Sequence, residues 1–228
     1  MIRLTAMGCL LLTFLPAVPA LAMPACPRPG GVSDPTLDFQ TLDPRLVLHH
    51  DVDLLGLPRV EGHMETVPRG WTLQGLTIAN DQLEIRATWR EQHFSDGRVC
   101  LWLDKVTARL GMPEQRVYIA ADYAEGSCEY QAIMAHERRH VEINRQTVQA
   151  HASAVRRAIV DGIRESNPLP LSSPPDTQLV VRRLQAYARP EAQQMISELR
   201  QRNGAIDTPD AYRREQAQSA CHHWKGGH

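Results

Sequence analysis

His136-Glu137-Arg138-Arg139-His140 brings together residue types at a spacing that could do chemistry. Two histidines four positions apart stand one above the other on a helix face, about 6 Å apart at the backbone. Both imidazoles can then reach one zinc ion at roughly 2.0–2.1 Å, with room left for water. Glu137 directly follows the first histidine, where its carboxylate can act as general base toward that water. With ten His and thirteen Glu in 228 residues, chance supplies about 0.02–0.03 such matches per chain. The surrounding elements therefore decide between a zinc site and a solvated His-Glu-Arg-Arg-His helix face. The chemistry implied is that of a zinc hydrolase, a peptidase first.

The motif needs a helix, and the flanking residues predict one. Ser127 is a good N-cap with Gly126 before it, and Glu129 sits in the favourable first turn. Tyr130, Ile133, Met134, Val141, Val148, Ala152, Val155 and Ile159 make an apolar stripe at helical spacing, uninterrupted by proline until Pro168. The helix is expected to run to about Arg164, with His136, Glu137 and His140 at the edge of its stripe. Upstream, Leu83, Ile85, Ala87 and Trp89 alternate with polar residues, and so do Val99, Leu101 and Leu103 beyond a Ser95-Asp96-Gly97 turn. A third short strand is predicted over Arg116 to Ala120. Downstream, a Pro/Ser loop (Asn167 to Pro175) leads to a helix from Gln178 to Arg202, kinked or broken at Pro190 and stopped by Asn203-Gly204. Thr208 and Pro209 open a third helix to about Cys221. Strands followed by helices point to an α+β domain: a small antiparallel or mixed sheet packed on the long motif helix, then a helical C-terminal region. From Met23 to about Gly70 the chain is Pro/Gly-rich, with short strands or turns at Leu46-Val47-Leu48 and Val52 to Leu55. His49, His50 and His63 in this region read as surface or hydrogen-bonded residues. The histidine-bearing tail from His222 to His228 reads as a mobile end.

The N-terminus reads as a targeting segment. Arg3 precedes an apolar run from Leu4 to Val18, and Ala20-Leu21-Ala22 matches a small-x-small cleavage pattern. The run is too short for a membrane span. Residues 1–22 are thus expected to be a cleaved signal peptide, and residues 23–228 a single exported domain, with 176–221 its helical subregion. The remaining 24 basic and 26 acidic residues give no case for nucleic acid as a partner. Cys26, Cys100, Cys128 and Cys221 remain after cleavage, and an even count in an oxidising compartment argues for two disulfides. Of three connectivities, Cys100–Cys128 with Cys26–Cys221 is favoured, stapling a strand to the motif helix and tying the ends together.

This context resembles the zincin superfamily of metallopeptidases, in which a strand bordering the substrate cleft precedes a helix bearing H-E-x-x-H. The likeness covers about residues 80–200, is looser toward small secreted bacterial predicted zinc-dependent proteases, and implies His136 and His140 as zinc ligands. It also implies a peptide or protein substrate and Glu137 as the residue that polarises water and shuttles its proton. Ile143 and Gln146 stand where the extended metzincin pattern needs Gly and His, so the implied type is gluzincin-like. Its third ligand would come from the second helix folding back antiparallel. A hairpin pivoting near Leu171 sets residue 202 opposite His140 and residue 198 opposite Asn144, which singles out Glu198, then Glu191 or Glu215. His151 lies about 16 Å along the helix from His140, too far to share an ion. Tyr187 and Tyr212 are candidates for the donor to a transition-state oxyanion. Two other classes stay open: a catalytically weak or inactive zincin-like envelope binding or assembly protein, and a purely structural zinc site closed by a fourth protein ligand.

Overall fold

The computed structural model describes residues 26–27, 30–31, 33–62, 71–171, 177–218 and 221. Among them the chain runs β1 (Thr36–Thr41), β2 (Arg45–His49), a short 3-10 helix (Leu57–Gly62), β3 (Gly75–Ala79), β4 (Gln82–His93), β5 (Val99–Gly111) and β6 (Glu114–Ile119). Then follow α1 (Cys128–Glu165), β7 (Leu169–Leu171), α2 (Thr177–Ile206) and α3 (Pro209–Gln218). This is the expected α+β order, divided into two sheets.

The first sheet is built on β5, whose core-facing side chains are nearly all apolar. Its partner β4 pairs antiparallel from Gln82↔Gly111 to His93↔Val99 through the Ser95-Asp96-Gly97 turn, where Gly97 takes a φ of 83°. β1 lies parallel on the other side of β5, and β7 adds antiparallel at its start. The second sheet has the order β2-β6-β3, with β2 parallel and β3 antiparallel to β6.

α1 spans about 57 Å by its 38 residues, and its two halves pack differently. The C-terminal half buries Val148, Val155, Ile159 and Ile163 with α2 against the first sheet. The N-terminal half packs Tyr130, Ile133 and Met134 on Val117 and Ile119 of β6. That long rod also corrects the expected disulfides, which are Cys26–Cys100 and Cys128–Cys221. Cys100 pairs in register with Pro170, just past the C-terminal end of α1, while Cys128 is the first residue of that helix. A bridge needs Cα atoms within about 7 Å, so nearly the whole helix keeps Cys100 from Cys128. Cys221 instead returns after α3 to the cluster around Tyr130 and Ile133, beside Cys128.

The second helix does not stop at Asn203-Gly204 as expected, and two other elements are defined more closely. β6 is the central strand of its sheet, so Val117 to Ile119 present no open edge; among the described residues the unpaired edge facing the helices belongs to β3. α2 runs through exposed Pro190 and on past Asn203-Gly204 to Ile206. Leu46 to Leu48 are strand and residues 54–56 turn, within the short strands or turns expected there. No helix among the described residues is long and apolar enough to cross a membrane. The proposed targeting segment, His63 and the tail from His222 lie outside the described residues.

Candidate metal centre

Ser127 caps α1 as its type predicts, its hydroxyl oxygen accepting from the Tyr130 amide at 3.1 Å. Nine residues on, the buried stripe of the helix turns polar. His136 is 4% exposed and Glu137 3%, each wedged between the second sheet and the C-terminal helices. Burial of this kind is costly for a polar group without partners. Each has them.

His136 Nε2 and His140 Nε2 lie 3.2 Å apart, and Asp207 Oδ1 is 3.1 Å from each. These three residues form the one group of metal-ligating side chains found among the described residues. Asp207 follows α2 directly and is delivered by an antiparallel helix pair. Its rungs are Gly162 against Tyr187, His151 on Glu198, Thr147 on Arg202 and His140 on Asn203. The hairpin register expected from a pivot near Leu171 comes within one residue at His140 but is seven residues off at Thr147, His151 and Gly162. That difference sets Glu198 opposite His151 instead of Asn144, and the continuation of α2 past Asn203 puts Asp207 beside the histidines, one turn beyond the expected stop.

The earlier candidates are placed elsewhere. Glu198 accepts from His151 Nε2 at 2.9 Å, and these two residues occupy each other. Glu191 lies sixteen residues before Asp207, about 24 Å along the helix axis. Glu215 reaches the site as a partner of His136: its Oε2 accepts from His136 Nδ1 at 3.0 Å, while Arg139 holds its other oxygen. Tyr187 packs on Gly162, away from the cluster. Tyr212 stands at it, with its hydroxyl 3.2 Å from His136 Nε2 and 3.3 Å from Asp207 Oδ1. Its ring stacks on His136 at 4.8 Å and meets Trp71 edge-on at 5.5 Å. His49 stacks on Tyr118 and His50 bonds the Tyr123 carbonyl, so neither belongs to the site.

Hydrogen-bond directions show what the cluster lacks. Asn203 Nδ2 donates to the Leu199 carbonyl and to Asn144 Oδ1, so its Oδ1 is the atom facing His140 Nδ1 at 2.8 Å. His140 must therefore carry its proton on Nδ1. The Glu215 carboxylate asks the same of His136. Both Nε2 lone pairs then point at Asp207 Oδ1, itself an acceptor. Three acceptors converge within 3.2 Å, and the Tyr212 hydroxyl, which donates to Asp207 Oδ1 at 3.3 Å, brings one proton for the three; the two Nε2 lone pairs still call for a cation or a further proton. Without a metal the remedy is a proton. Burial pushes the His136 pKa down, but its bonds to Asp207 and Glu215 outweigh that and raise it to about 9. His140 shifts upward in the same way, against burial, through Asp207 and Glu137. Asp207 is held below the usual carboxylate range: burial opposes this, and the two histidines overcome it.

Glu137 points to the opposite wall. Its Oε2 accepts from Thr77 Oγ1 on β3 at 2.6 Å. Its Oε1 lies against Gly75, where a Cβ would approach within 2.5 Å. Burial raises its pKa, with His140, His136 and Thr77 pulling the other way. The outer edge of β3, the cluster and the last turns of α2 enclose a cavity of about 570 Å³.

Of the residues that the fold brings together here, the sequence singles out His136, Glu137, His140, Tyr212 and Glu215. It does not mark Asp207, Asn203 and Thr77, which show no motif and belong to the site only through the fold. Set against protein-family models, curated proteins and solved structures, the chain matches none.

Proposed function

We propose that this chain is an exported zinc-dependent hydrolase that cleaves peptide amide bonds, with His136, His140 and Asp207 as metal ligands and Glu137 as general base. The observation that carries the reading is the convergence of His136 Nε2, His140 Nε2 and Asp207 Oδ1, for which the Tyr212 hydroxyl supplies a single donor. The donor set fits the ion. Two imidazoles and a carboxylate are a common zinc set, and a tetrahedral shell at 2.0–2.1 Å spaces its donors about 3.3 Å apart, close to the 3.1–3.2 Å found here. Asp207 keeps 43% of its side chain exposed, which leaves the cluster open on the cavity side. Zinc held there supplies a Lewis acid and lowers the pKa of water in contact with it.

The chain's own residues account for the proton. Glu137, with one oxygen fixed by Thr77, has a raised pKa, so it can hold a proton taken from water and pass it to a leaving amine. Burial and the Asp207 and Glu137 charges keep the Tyr212 hydroxyl protonated. It is thereby available as a donor to negative charge developing on a substrate oxygen. The unpaired edge of β3 runs along the cavity, where an extended peptide can add as a strand. Placement outside the cytoplasm rests on the N-terminal targeting pattern and on two disulfides.

The test is metal content followed by Glu137→Gln. The purified protein should hold one zinc per chain and release new amino termini from a mixed peptide library. Glu137→Gln should keep the zinc and lose turnover by about 10²–10⁴-fold. Zinc retained with turnover absent in the wild type would favour the binding or assembly reading, and no zinc at all would end the metal reading.

A further inference from the structure

One face of α2 lines the cavity with Ile196, Leu199, Arg200 and Asn203, and Asp207 follows at the next turn. The spacing is one helical stripe, i, i+3, i+4, i+7, i+11. Asn203 anchors His140 and Asp207 completes the cluster, while Leu199 and Ile196 pack on the core. Arg200 has no such task. Among the described residues it is the only lysine or arginine lining the cavity, and it makes no ion pair there. Its backbone lies about 10 Å along the helix from Asp207, the length of three extended residues. The walls beside it are apolar: Ala79, Met112, Ile196 and Leu199.

We propose that Arg200 is a specificity-determining residue. In this role it binds a carboxylate of the peptide substrate within about three residues of the bond to be cleaved, while that residue's neighbours lie on the apolar walls. A guanidinium on a rigid helix, facing a groove with low-polarity walls, recognises a carboxylate through two parallel hydrogen bonds. Asp81 lines the strand side of the same cavity and repels such a group, which places the carboxylate on the α2 side. The carboxylate can be an acidic side chain or the free C-terminus, and both present the same fork to Arg200. The proposal rests on the cavity being the substrate site, and its test does not depend on turnover.

The experiment measures peptide binding to zinc-loaded Glu137→Gln protein through Trp71 fluorescence or calorimetry. One probe pair is an acetylated, amidated hexapeptide of alanine and leucine carrying a single Glu or a single Gln. The other is a neutral acetylated hexapeptide with a free or an amidated C-terminus. Tighter binding of the carboxylate form by about tenfold in either pair supports the proposal and identifies the source. Arg200→Gln, at an exposed position, should bring that ratio close to one with zinc content unchanged, and Arg200→Lys should retain part of it. Equal or absent binding of the carboxylate forms, or a ratio that survives Arg200→Gln, overturns the proposal. If the ratio behaves as expected but the wild type cleaves none of the peptides, the hydrolase reading fails and the recognition site stands.

Discussion

Replacing Asp207 by asparagine removes one charge and keeps the side chain's shape, so it isolates what the carboxylate does for the metal. Zinc binding to a four-ligand structural site is worth about 10–16 kcal/mol, or roughly 2.5–4 kcal/mol per donor. Asp207 is one of three donors, and its side chain is 43% exposed, which sets the expectation at the low end, a loss of about a hundredfold in zinc affinity. The assay is a competition titration against a chromophoric chelator at fixed pH, with metal stoichiometry after dialysis and circular dichroism to confirm the fold. Glu198→Ala is the paired control. It breaks the contact with His151, well along α1 from the cluster, and should leave zinc affinity within about threefold. An Asp207→Asn protein that binds zinc as the wild type does would refute the assignment. So would a Glu198→Ala protein that loses the metal.

Glu215→Gln leaves the ring of His136 in place but removes the charge and turns one acceptor oxygen into a donor, so His136 and Arg139 compete for the remaining oxygen and the His136 tautomer is no longer fixed. Zinc affinity should fall by about 10–100-fold in the same titration, with secondary structure unchanged. Gly75→Ala would set a methyl 2.5 Å from Glu137 Oε1 and 2.7 Å from Ile133 Cγ2. Peptide turnover should therefore drop well beyond any change in thermal midpoint, while zinc stays bound. In the metal-free protein His136 has its pKa raised from 6.5 to about 9. The stability it contributes is full below pH 6.5 and is lost as pH rises through about 9. Thermal scans of chelator-treated protein should show that decline, and zinc-loaded protein should not.

The helices were legible because their signals are local. Ser127, the apolar stripe and the absence of proline describe α1 to within a residue or two, and Thr208-Pro209 opens α3 where expected. The alternation at Leu83–Trp89 and Val99–Leu103 likewise marks β4 and β5. β3 carries little of this pattern because Gly75, Thr77 and Ala79 face the site, where glutamate and cavity replace a packed core. Asn203-Gly204 read as a helix stop on propensity. In the fold the Asn203 side chain is taken up by His140, Asn144 and the Leu199 carbonyl, and Gly204 meets nothing, so the helix continues. A tertiary contact overrode a local preference there, and Asp207, the proposed third ligand, lay behind it. The disulfides failed for a related reason: which cysteines meet depends on where a 38-residue rod puts its two ends.

The site's charge explains why its two halves come from distant parts of the chain. Glu137, Asp207 and Glu215 place three carboxylates around two imidazoles, with Arg139 as the cation that holds Glu215. Such a set is stable only if positive charge enters it. In the metal-free state this charge is the proton that keeps His136 raised, and a divalent ion bound there would displace it. Metal affinity is thereby tied to bringing residues 203–215 onto one turn of α1, and that docking is secured by the Cys128–Cys221 bridge at the far end of α3. Loss of the bridge should weaken zinc binding without touching any ligand, because Glu215 and Tyr212 would lose the tether that returns them to His136. Cys221→Ser, read by zinc affinity alongside Asp207→Asn, separates a cluster built by α1 alone from one that the C-terminal helices complete. An unchanged affinity would show that α3 docks on Glu215, Tyr212 and Ala211 without help from the bridge.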